Sequence, residues 1–534
     1  MNVSRLCDAA TAEALALGWL EEQLATASEY GRERLRGLEP FDPGAESDAQ
    51  QQASRFVSIA NAAGPEVLES IREALRELPD VRGQIARARL GEVLTDTDFF
   101  MLLRFCEITA RLSSLVGNAF LDEGITVCSE ARDALAAGKS GAFGFYLADE
   151  FDPTLAARRR ELQEAEAQLE RLRRQLAERV AGELQRAQIA TDQFIVMRDE
   201  VHGTLPSGVR VVREAPTYFL CELELDSPAL ETLQQRDRCA AAAATAEEAV
   251  RVRLTSAIAG CADALELSAE GAGRIDVTVA AARFAQHYRC VAATYLREPS
   301  FQISDGRFLP LEHDLALKDR SYVPIALTLE RANVLTGPNM GGKSAALCTA
   351  GFIAACAAFG LPVPAGKASV GLFSRICWLG IGAEDSAQEL LSSFAREIVR
   401  LRHLLQEEAA TLWLIDEFAR TTAPDEARAL LLALLRRLGE GKNCALAATH
   451  LGDLDGDAKI AHFAVRGLRG DGPPVAAAAT GDALRALAER MDYRIQRVSQ
   501  AQKSESDAIE LAGYLGLDKE LVESAKEILA RCSR

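Results

Sequence analysis

The chain has 534 residues, a formal net charge of −18 at pH 7 and an isoelectric point near 5.0. Such a length exceeds what one hydrophobic core usually supports, so we expect roughly two to four domains. The acidic balance argues against a protein that coats nucleic acid non-specifically, because such proteins need excess lysine and arginine. The 12 cysteines lack C-x-x-C spacing and the 6 histidines form no metal-type cluster with them, which indicates free thiols in a reducing cytoplasm.

Residues 1–150 are predicted to form an α-helical core. Apolar residues recur there at three- and four-residue spacing, and Asp96-Thr97-Asp98 is typical of a helix start. Phe105-Cys106-Glu107 lies inside that predicted helix, so packing in a core explains Phe105 better than contact with a ligand. This half of the sequence carries no glycine-rich nucleotide loop, and we therefore predict a mechanical role for it.

Residues 151–300 are predicted to form a lever that leaves along one helix and returns along others. Asp152-Pro153 indicates a helix start. A narrow apolar stripe follows, first at heptad and then at four-residue spacing: Leu155, Leu162, Ala165, Leu169, Leu172, Leu176, Val180 and Leu184. Two β-rich runs within residues 200–228 predict a small tip. Arginines outnumber glutamates on the outgoing helix, which indicates a solvated face or, as the alternative, a nucleic-acid contact.

Residues 301–490 alternate strands with helices, which predicts an α/β domain whose sheet is covered on its faces. Within it, a run between an apolar strand and a helix fits the phosphate-loop pattern: Gly337-Pro338-Asn339-Met340-Gly341-Gly342-Lys343-Ser344. The glycines let backbone N–H groups approach a polyphosphate, Lys343 reaches the outer phosphates, and the Ser344 hydroxyl meets Mg²⁺. This run therefore predicts a nucleotide site with bound magnesium.

Polar residues end two further predicted strands of this domain. Asp416-Glu417 follows a buried apolar run; Asp416 would hold Mg²⁺ through its water shell, and Glu417 would orient or deprotonate the attacking water. The apolar run Cys444 to Ala448 ends in Thr449-His450. We expect His450 to sense the terminal phosphate.

A serine pair, Ser392-Ser393, opens a predicted helix that extends to about Leu405. Two hydroxyls and free N–H groups at a helix start form an anion site. In ATPases of the ABC type such an element completes the site of the other subunit, so dimerisation would be part of the chemistry.

One uncharged run, Ala345 to Gly366, is long enough to suggest a membrane span. Pro362, Pro364 and the position directly after the phosphate loop favour a buried helix against a sheet instead. We therefore expect no membrane partner.

The phosphate loop, Thr336 to Ser344, resembles that of the MutS family, whose T-G-P-N-M-G-G-K-S is more restrictive than the general pattern. Other stretches are similar to that family as well: Val363-Pro364-Ala365, Ile381 to Asp385, Ser392-Ser393-Phe394, Asp416-Glu417, Ala448-Thr449-His450, Ser506 to Ala512 and Ala525 to Leu529. The resemblance is close over the ATPase domain and looser over the helical part from about residue 40.

The resemblance implies a multi-domain protein, with an α-helical core and lever, a small β-containing clamp tip and an ABC-type P-loop ATPase domain. It implies that residues 337–344 bind ATP, that Ser344 and Asp416 hold Mg²⁺, and that Glu417 and His450 act in hydrolysis. Ser392 or Ser393 would act on the partner's nucleotide in a homodimer. Residues 491–534 would form a C-terminal helical segment of the dimerisation type.

Departures from the family pattern bear on the ligand. Members that recognise mismatches carry an N-terminal domain and a connector before the core, whereas this chain starts almost at the core. We therefore expect a short form without direct mismatch reading. Thr422 and Pro424 resemble the branch that lacks a mismatch domain, although the nuclease-like tail of that branch is not expected here. The run Gly306 to Pro310 replaces the family's G-R-H-P.

Two functions remain open from the sequence. The chain is either a clamp ATPase that binds DNA, related to repair or recombination, or the ATPase component of a reactivating factor for an adenosylcobalamin-dependent aminomutase. The arginines of the lever favour DNA. The acidic balance and the expected short form fit a protein partner, an aminomutase or another reactivase subunit.

Overall fold

The computed structural model describes residues 1–117, 124–140, 144–190, 193–201, 203–338, 342–380, 393–406, 409–451, 454, 459–468, 491–498, 509, 512 and 517–532. The chain divides into two compact units. Unit 1 combines Met1–Arg76, Ser114–Gly124 and Gly271–Arg534, and unit 2 combines Glu77–Ser113 and Ile125–Glu270. This division differs from the predicted helical core of residues 1–150, because the first part of that stretch belongs with the C-terminal half.

The described residues form these α-helices: α1 (Val3–Leu6), α2 (Ala9–Ala14), α3 (Leu17–Gln23), α4 (Glu29–Arg36), α5 (Glu46–Ala62), α6 (Pro65–Glu77), α7 (Arg82–Arg89), α8 (Asp96–Leu115), α9 (Ser129–Leu135), α10 (Pro153–Glu183), α11 (Ser227–Gly260), α12 (Ala262–Tyr288), α13 (Leu309–Ala316), α14 (Lys343–Ala358), α15 (Ser393–Leu404), α16 (Pro424–Gly439) and α17 (Lys519–Cys532). None of them combines the length and apolar character that crossing a bilayer requires.

The described strands are β1 (Lys139–Ser140), β2 (Gly144–Phe145), β3 (Gln193–Met197), β4 (Val209–Glu214), β5 (Tyr218–Leu223), β6 (Thr294–Leu296), β7 (Phe301–Gly306), β8 (Ile325–Leu329), β9 (Ala332–Thr336), β10 (Lys367–Gly371), β11 (Arg375–Leu379), β12 (Thr411–Asp416), β13 (Cys444–Ala448), β14 (Ile460–Leu468) and β15 (Met491–Val498). In unit 1 they build a mixed sheet of order β6-β10-β7-β8 and a larger sheet of order β11-β12-β13-β9-β14-β15.

The larger sheet positions the candidate site. Its strands pair in parallel from β11 to β14, and β15 adds an antiparallel edge. β9 and β13 are buried throughout, as expected for central parallel strands covered on both faces. The register aligns Asp416 with Ala448 and Ala448 with Leu335, so three segments leave the sheet side by side. This sheet confirms the predicted α/β character of the region.

β15 lies in residues that were predicted to belong to a helical segment. Within it, Met491, Tyr493 and Ile495 alternate with polar residues, and this period of two is typical of a strand. The β15 pairing therefore extends the α/β sheet beyond the predicted boundary at residue 490.

Helix α14 explains why the N-terminal residues belong to unit 1. Nearly all of its side chains are buried, so it needs apolar cover on more than one side. A Cβ at Gly351 would collide with Leu414 of β12 and also with Leu15. At the end of α14, the Phe41 N–H donates to the Ala358 carbonyl at 2.7 Å. The N-terminal helices thus pack on the helix that follows the phosphate loop.

Unit 2 contains two long helices, α10 and α11, that pack along each other, and a three-stranded antiparallel sheet of order β3-β5-β4. Asp152 caps α10 as predicted, since its carboxylate accepts from the Thr154 N–H at 2.7 Å. The sequence prediction of the tip missed β3, although Phe194 and Val196 alternate with exposed residues in it. We refer to α10, α11 and this sheet together as the arm.

Helix α8 contains the stretch Phe105-Cys106-Glu107. Phe105 and Cys106 are both 0% exposed inside this helix, and Glu107 forms an ion pair with Lys139. Phe105 is therefore a core residue, as its helical spacing predicts.

Candidate active site

The phosphate-loop residues lie where β9 ends and α14 begins. Gly337 and Gly342 have φ of +148° and +82°, values that favour glycine because it lacks a Cβ. A Cβ at Gly342 would also lie 3.1 Å from the Tyr493 ring. Asn339, Met340 and Gly341, which the sequence also assigns to this loop, lie outside the described residues.

Lys343, the first residue of α14, is only 6% exposed. Its Nζ donates to the carbonyl oxygens of Gly337 at 2.9 Å and Pro338 at 3.0 Å. Burial lowers the pKa of Lys343, and the nearby carboxylates of Glu417 and Asp416 oppose that shift. The ammonium group is therefore held by carbonyl oxygens of the loop that precedes α14.

Ser344 and Asp416 meet directly, although they are far apart in sequence. The Ser344 hydroxyl donates to Asp416 Oδ2 at 2.7 Å. Burial raises the pKa of Asp416, as does the charge of Glu417, whereas the Ser344 hydrogen bond and Lys343 lower it. A hydroxyl and a carboxylate are hard oxygen donors of the kind that Mg²⁺ prefers, so these residues fit a magnesium site.

Glu417 occupies a left-handed turn directly after β12, with φ of +53°. Its N–H donates to the Ala448 carbonyl at 3.0 Å, which ties the turn to the end of β13. Glu417 Oε1 lies 3.7 Å from His450 Nδ1, and Oε2 lies 3.5 Å from Arg420 Nη1. The fold thus brings Glu417 and His450 together at the edge that also holds Ser344.

Helix α15 begins at Ser393, close to the predicted start. Ser392 and the side chain of Ser393 lie outside the described residues, so their predicted role stays a prediction. The same helix carries Glu397, whose Oε2 accepts a hydrogen bond from the Ala419 N–H at 3.0 Å. Sequence reasoning missed this residue.

Arg420 is the second residue near the site that the sequence prediction did not single out. Its position three residues after Glu417 could have predicted the contact, because side chains at this spacing can meet. Glu397 offered a weaker signal, a carboxylate among the apolar residues that follow the serine pair.

A family model described as MutS domain V matches residues 333–533. The matched region begins in β9 and therefore includes the phosphate loop, Asp416, Glu417 and His450.

Sequence similarity to known proteins extends beyond the region that the family model matches. Endonuclease MutS2 of Thermomicrobium roseum is 30% identical over 96% of this chain and 64% of its own length. Proteins of the same name from Gemmatimonas aurantiaca and Symbiobacterium thermophilum are 32% and 26% identical, over 57% and 84% of this chain. The chain spans 64%, 38% and 56% of the three relatives, in that order, which is less than two thirds of each.

The Lys343→Ala variant should bind ATP at least tenfold more weakly, a change of about 1.4 kcal/mol, because the buried ammonium is lost. Titration of a fluorescent ATP analogue in the presence of Mg²⁺ measures the affinity. Lys442→Ala is the matched control, because Lys442 is exposed and precedes β13 at the other end of that strand. Equal ATP affinities in the Lys343→Ala variant and the unmodified chain would contradict the loop assignment.

Proposed function

The chain belongs to the MutS family, and we propose that it binds ATP with Mg²⁺ at the carboxyl edge of the larger sheet and hydrolyses it. We propose further that it works as a homodimer, and that the ATP cycle drives a clamp that acts on DNA without reading mismatches directly. The observation that carries the ATPase proposal is the Ser344–Asp416 hydrogen bond at the end of three aligned parallel strands.

Lys343 would bind the outer phosphates. Its ammonium already donates to the Gly337 and Pro338 carbonyls, which are neutral acceptors. Phosphate oxygens would replace them with negatively charged acceptors, and the attraction between opposite charges in a poorly solvated place favours binding. The start of α14 adds N–H groups that point toward the same anion.

Ser344 and Asp416 would hold the magnesium ion that accompanies ATP. Bound Mg²⁺ supplies neutralisation of the negative charge on the phosphates. Burial already disfavours the charged form of Asp416. A cation beside this carboxylate would therefore stabilise its charged form, and the carboxylate would bind the cation in turn. In that arrangement the Ser344 hydroxyl would supply an oxygen ligand to the ion.

Glu417 would orient the attacking water and accept its proton. Its backbone is fixed by the bond from the Glu417 N–H to Ala448, and its side chain is 19% exposed, open enough to reach solvent. His450 and Arg420 lie beside the carboxylate. The Arg420 guanidinium would stabilise negative charge that develops during phosphoryl transfer, and His450 would sense the terminal phosphate. The Ser392-Ser393 pair would complete the site of the partner subunit.

The name of the relatives supports DNA as the proposed ligand. Their shared name, Endonuclease MutS2, describes them as nucleases. That name lends no support to the alternative, an aminomutase-reactivating factor.

The arm is the part of the chain proposed to meet DNA. Several of its arginines are paired within the helix, including Arg158 with Glu161 at 2.8 Å and Arg174 with Glu170 at 3.7 Å. Arg171 instead donates to the neutral amide oxygen of Gln168 at 2.6 Å, so this contact leaves its charge uncompensated. Arg171 is exposed and is therefore the strongest candidate for a phosphate contact.

The Glu417→Gln variant should retain ATP affinity while its turnover falls at least about 100-fold, because the amide cannot accept a proton. Steady-state phosphate release and ATP binding are measured on the same preparation. Glu440→Gln, an exposed position just after α16, serves as the control and should turn over normally. Normal turnover of the Glu417→Gln variant would remove Glu417 from this role.

Binding to labelled duplex and branched DNA in the presence of ATP should weaken at least about tenfold between roughly 50 and 200 mM salt, because phosphate contacts release counterions. Arg171→Ala should reduce the affinity and the salt slope together, whereas Arg36→Ala, exposed in unit 1, should change neither. Fluorescence anisotropy gives both quantities. If the unmodified chain shows no binding at low salt, the DNA proposal fails and the protein-partner alternative gains.

A further inference from the structure

We propose that Glu397 is a positioning residue for Glu417: from α15 it holds the turn that carries the catalytic carboxylate through a hydrogen bond to Ala419. This inference rests on the proposed ATPase function. It adds a residue to the machinery and a physical connection between the serine-bearing helix and the hydrolytic group.

The turn after β12 is conformationally unusual. Glu417 has φ of +53° and Ala419 has φ of +58°, so two residues with side chains adopt left-handed backbone within three positions. Residues other than glycine pay a steric cost in this region, and such a turn persists only when surrounding contacts determine it. The position of the Glu417 carboxylate therefore depends on whatever anchors the turn.

Two hydrogen bonds anchor it to two different elements. The Glu417 N–H donates to the Ala448 carbonyl of β13 at 3.0 Å. The Ala419 N–H donates to Glu397 Oε2, also at 3.0 Å, and this is a side-chain anchor that comes from a different element. Ala419 is 0% exposed, so its N–H would lose a hydrogen bond without compensation from water if Glu397 were removed.

The turn and helix α15 also share apolar packing. Phe418 and Ala419 belong to the same apolar cluster as Leu401 and Leu404 of α15, and Phe394 and Ile398 pack against that cluster. Glu397 lies between the last two in sequence. Burial raises the pKa of its carboxyl, and the Ala419 hydrogen bond opposes the shift.

The location of the Ala419–Glu397 hydrogen bond favours a positioning role over a purely structural contact between α15 and the sheet. The acceptor lies one helical turn after Ser393, where α15 begins, and the donor lies two residues after Glu417. A displacement of α15 that follows engagement of the partner's nucleotide would therefore move the turn directly. Loss of the bond should affect the chemical step more than nucleotide binding, since Lys343 and Ser344 lie on α14.

The test compares kcat, ATP affinity and melting temperature in a set of purified variants of this 534-residue chain. Glu397→Leu removes the acceptor and should lower kcat at least tenfold, with ATP affinity within twofold of the unmodified chain. Glu397→Gln keeps an acceptor oxygen and should retain kcat within threefold. Arg402→Gln, an exposed position on the same helix, should match the unmodified chain in all three measurements.

A second substitution removes the steric cost of the left-handed backbone at Ala419. Glycine adopts positive φ readily, so adding Ala419→Gly to Glu397→Leu should restore part of the lost kcat. Should Glu397→Leu fail to fold, Glu397→Ser takes its place: its side chain is too short to reach the Ala419 N–H, and the same fall in kcat is expected.

Several outcomes would overturn the inference. They are an unchanged kcat in the Leu or Ser variant, a fall in the Gln variant as large as that in the Leu variant, or a parallel loss of ATP affinity. These outcomes are distinguishable from failure of the proposed function, which would appear as absence of ATP turnover in the unmodified chain.

Discussion

Parallel pairing of β9, β12 and β13 fixes the positions from which the phosphate loop, the Asp416-Glu417 pair and His450 depart. The register sets Leu335, Ala448 and Asp416 side by side, so the phosphate loop, the carboxylate pair and Thr449-His450 all begin at one edge. Side chains on a strand alternate between faces, and a slip of one residue would turn Asp416 away from Ser344. The nearly continuous burial of these strands holds that register, because any slip would expose or displace a packed core.

The charged side chains at this edge compensate one another, because they are close together and poorly solvated. Burial alone would lower the pKa of Lys343 and raise that of Asp416, and each group acts on the other to oppose these shifts. Removing one charge therefore leaves its neighbours less compensated in a poorly solvated place. The same balance suits a ligand that brings both phosphate charge and a cation.

The positions of the candidate site residues at strand ends could largely be predicted from the sequence, because the relevant signals are local. The predicted strand Cys444–Ala448 has the same bounds in the structure, and the buried run before Glu417 forms β12. Burial of Phe105 also followed from helical spacing. These stretches are short, apolar and bounded by polar residues, which makes their period and ends readable.

Contacts between distant segments left no comparable signal. Nothing in the spacing of the N-terminal residues shows that Leu15 covers α14 at Gly351, so the predicted boundary at residue 150 differs from the observed units. The bond from the Ala419 N–H to Glu397 joins residues 22 positions apart, and it depends on two left-handed residues that composition does not reveal. β3 was missed because its alternation spans only one short strand.

Metal rescue at Ser344 tests the central claim, that the Ser344–Asp416 pair holds the magnesium of bound ATP. A thiol binds soft cations better than Mg²⁺, so the metal preference of turnover should change with the ligand atom. Ser344→Cys should hydrolyse ATP poorly with Mg²⁺ and recover activity, relative to the unmodified chain, with Mn²⁺ or Cd²⁺. An identical ratio of activities with the two kinds of metal in both proteins would contradict the account.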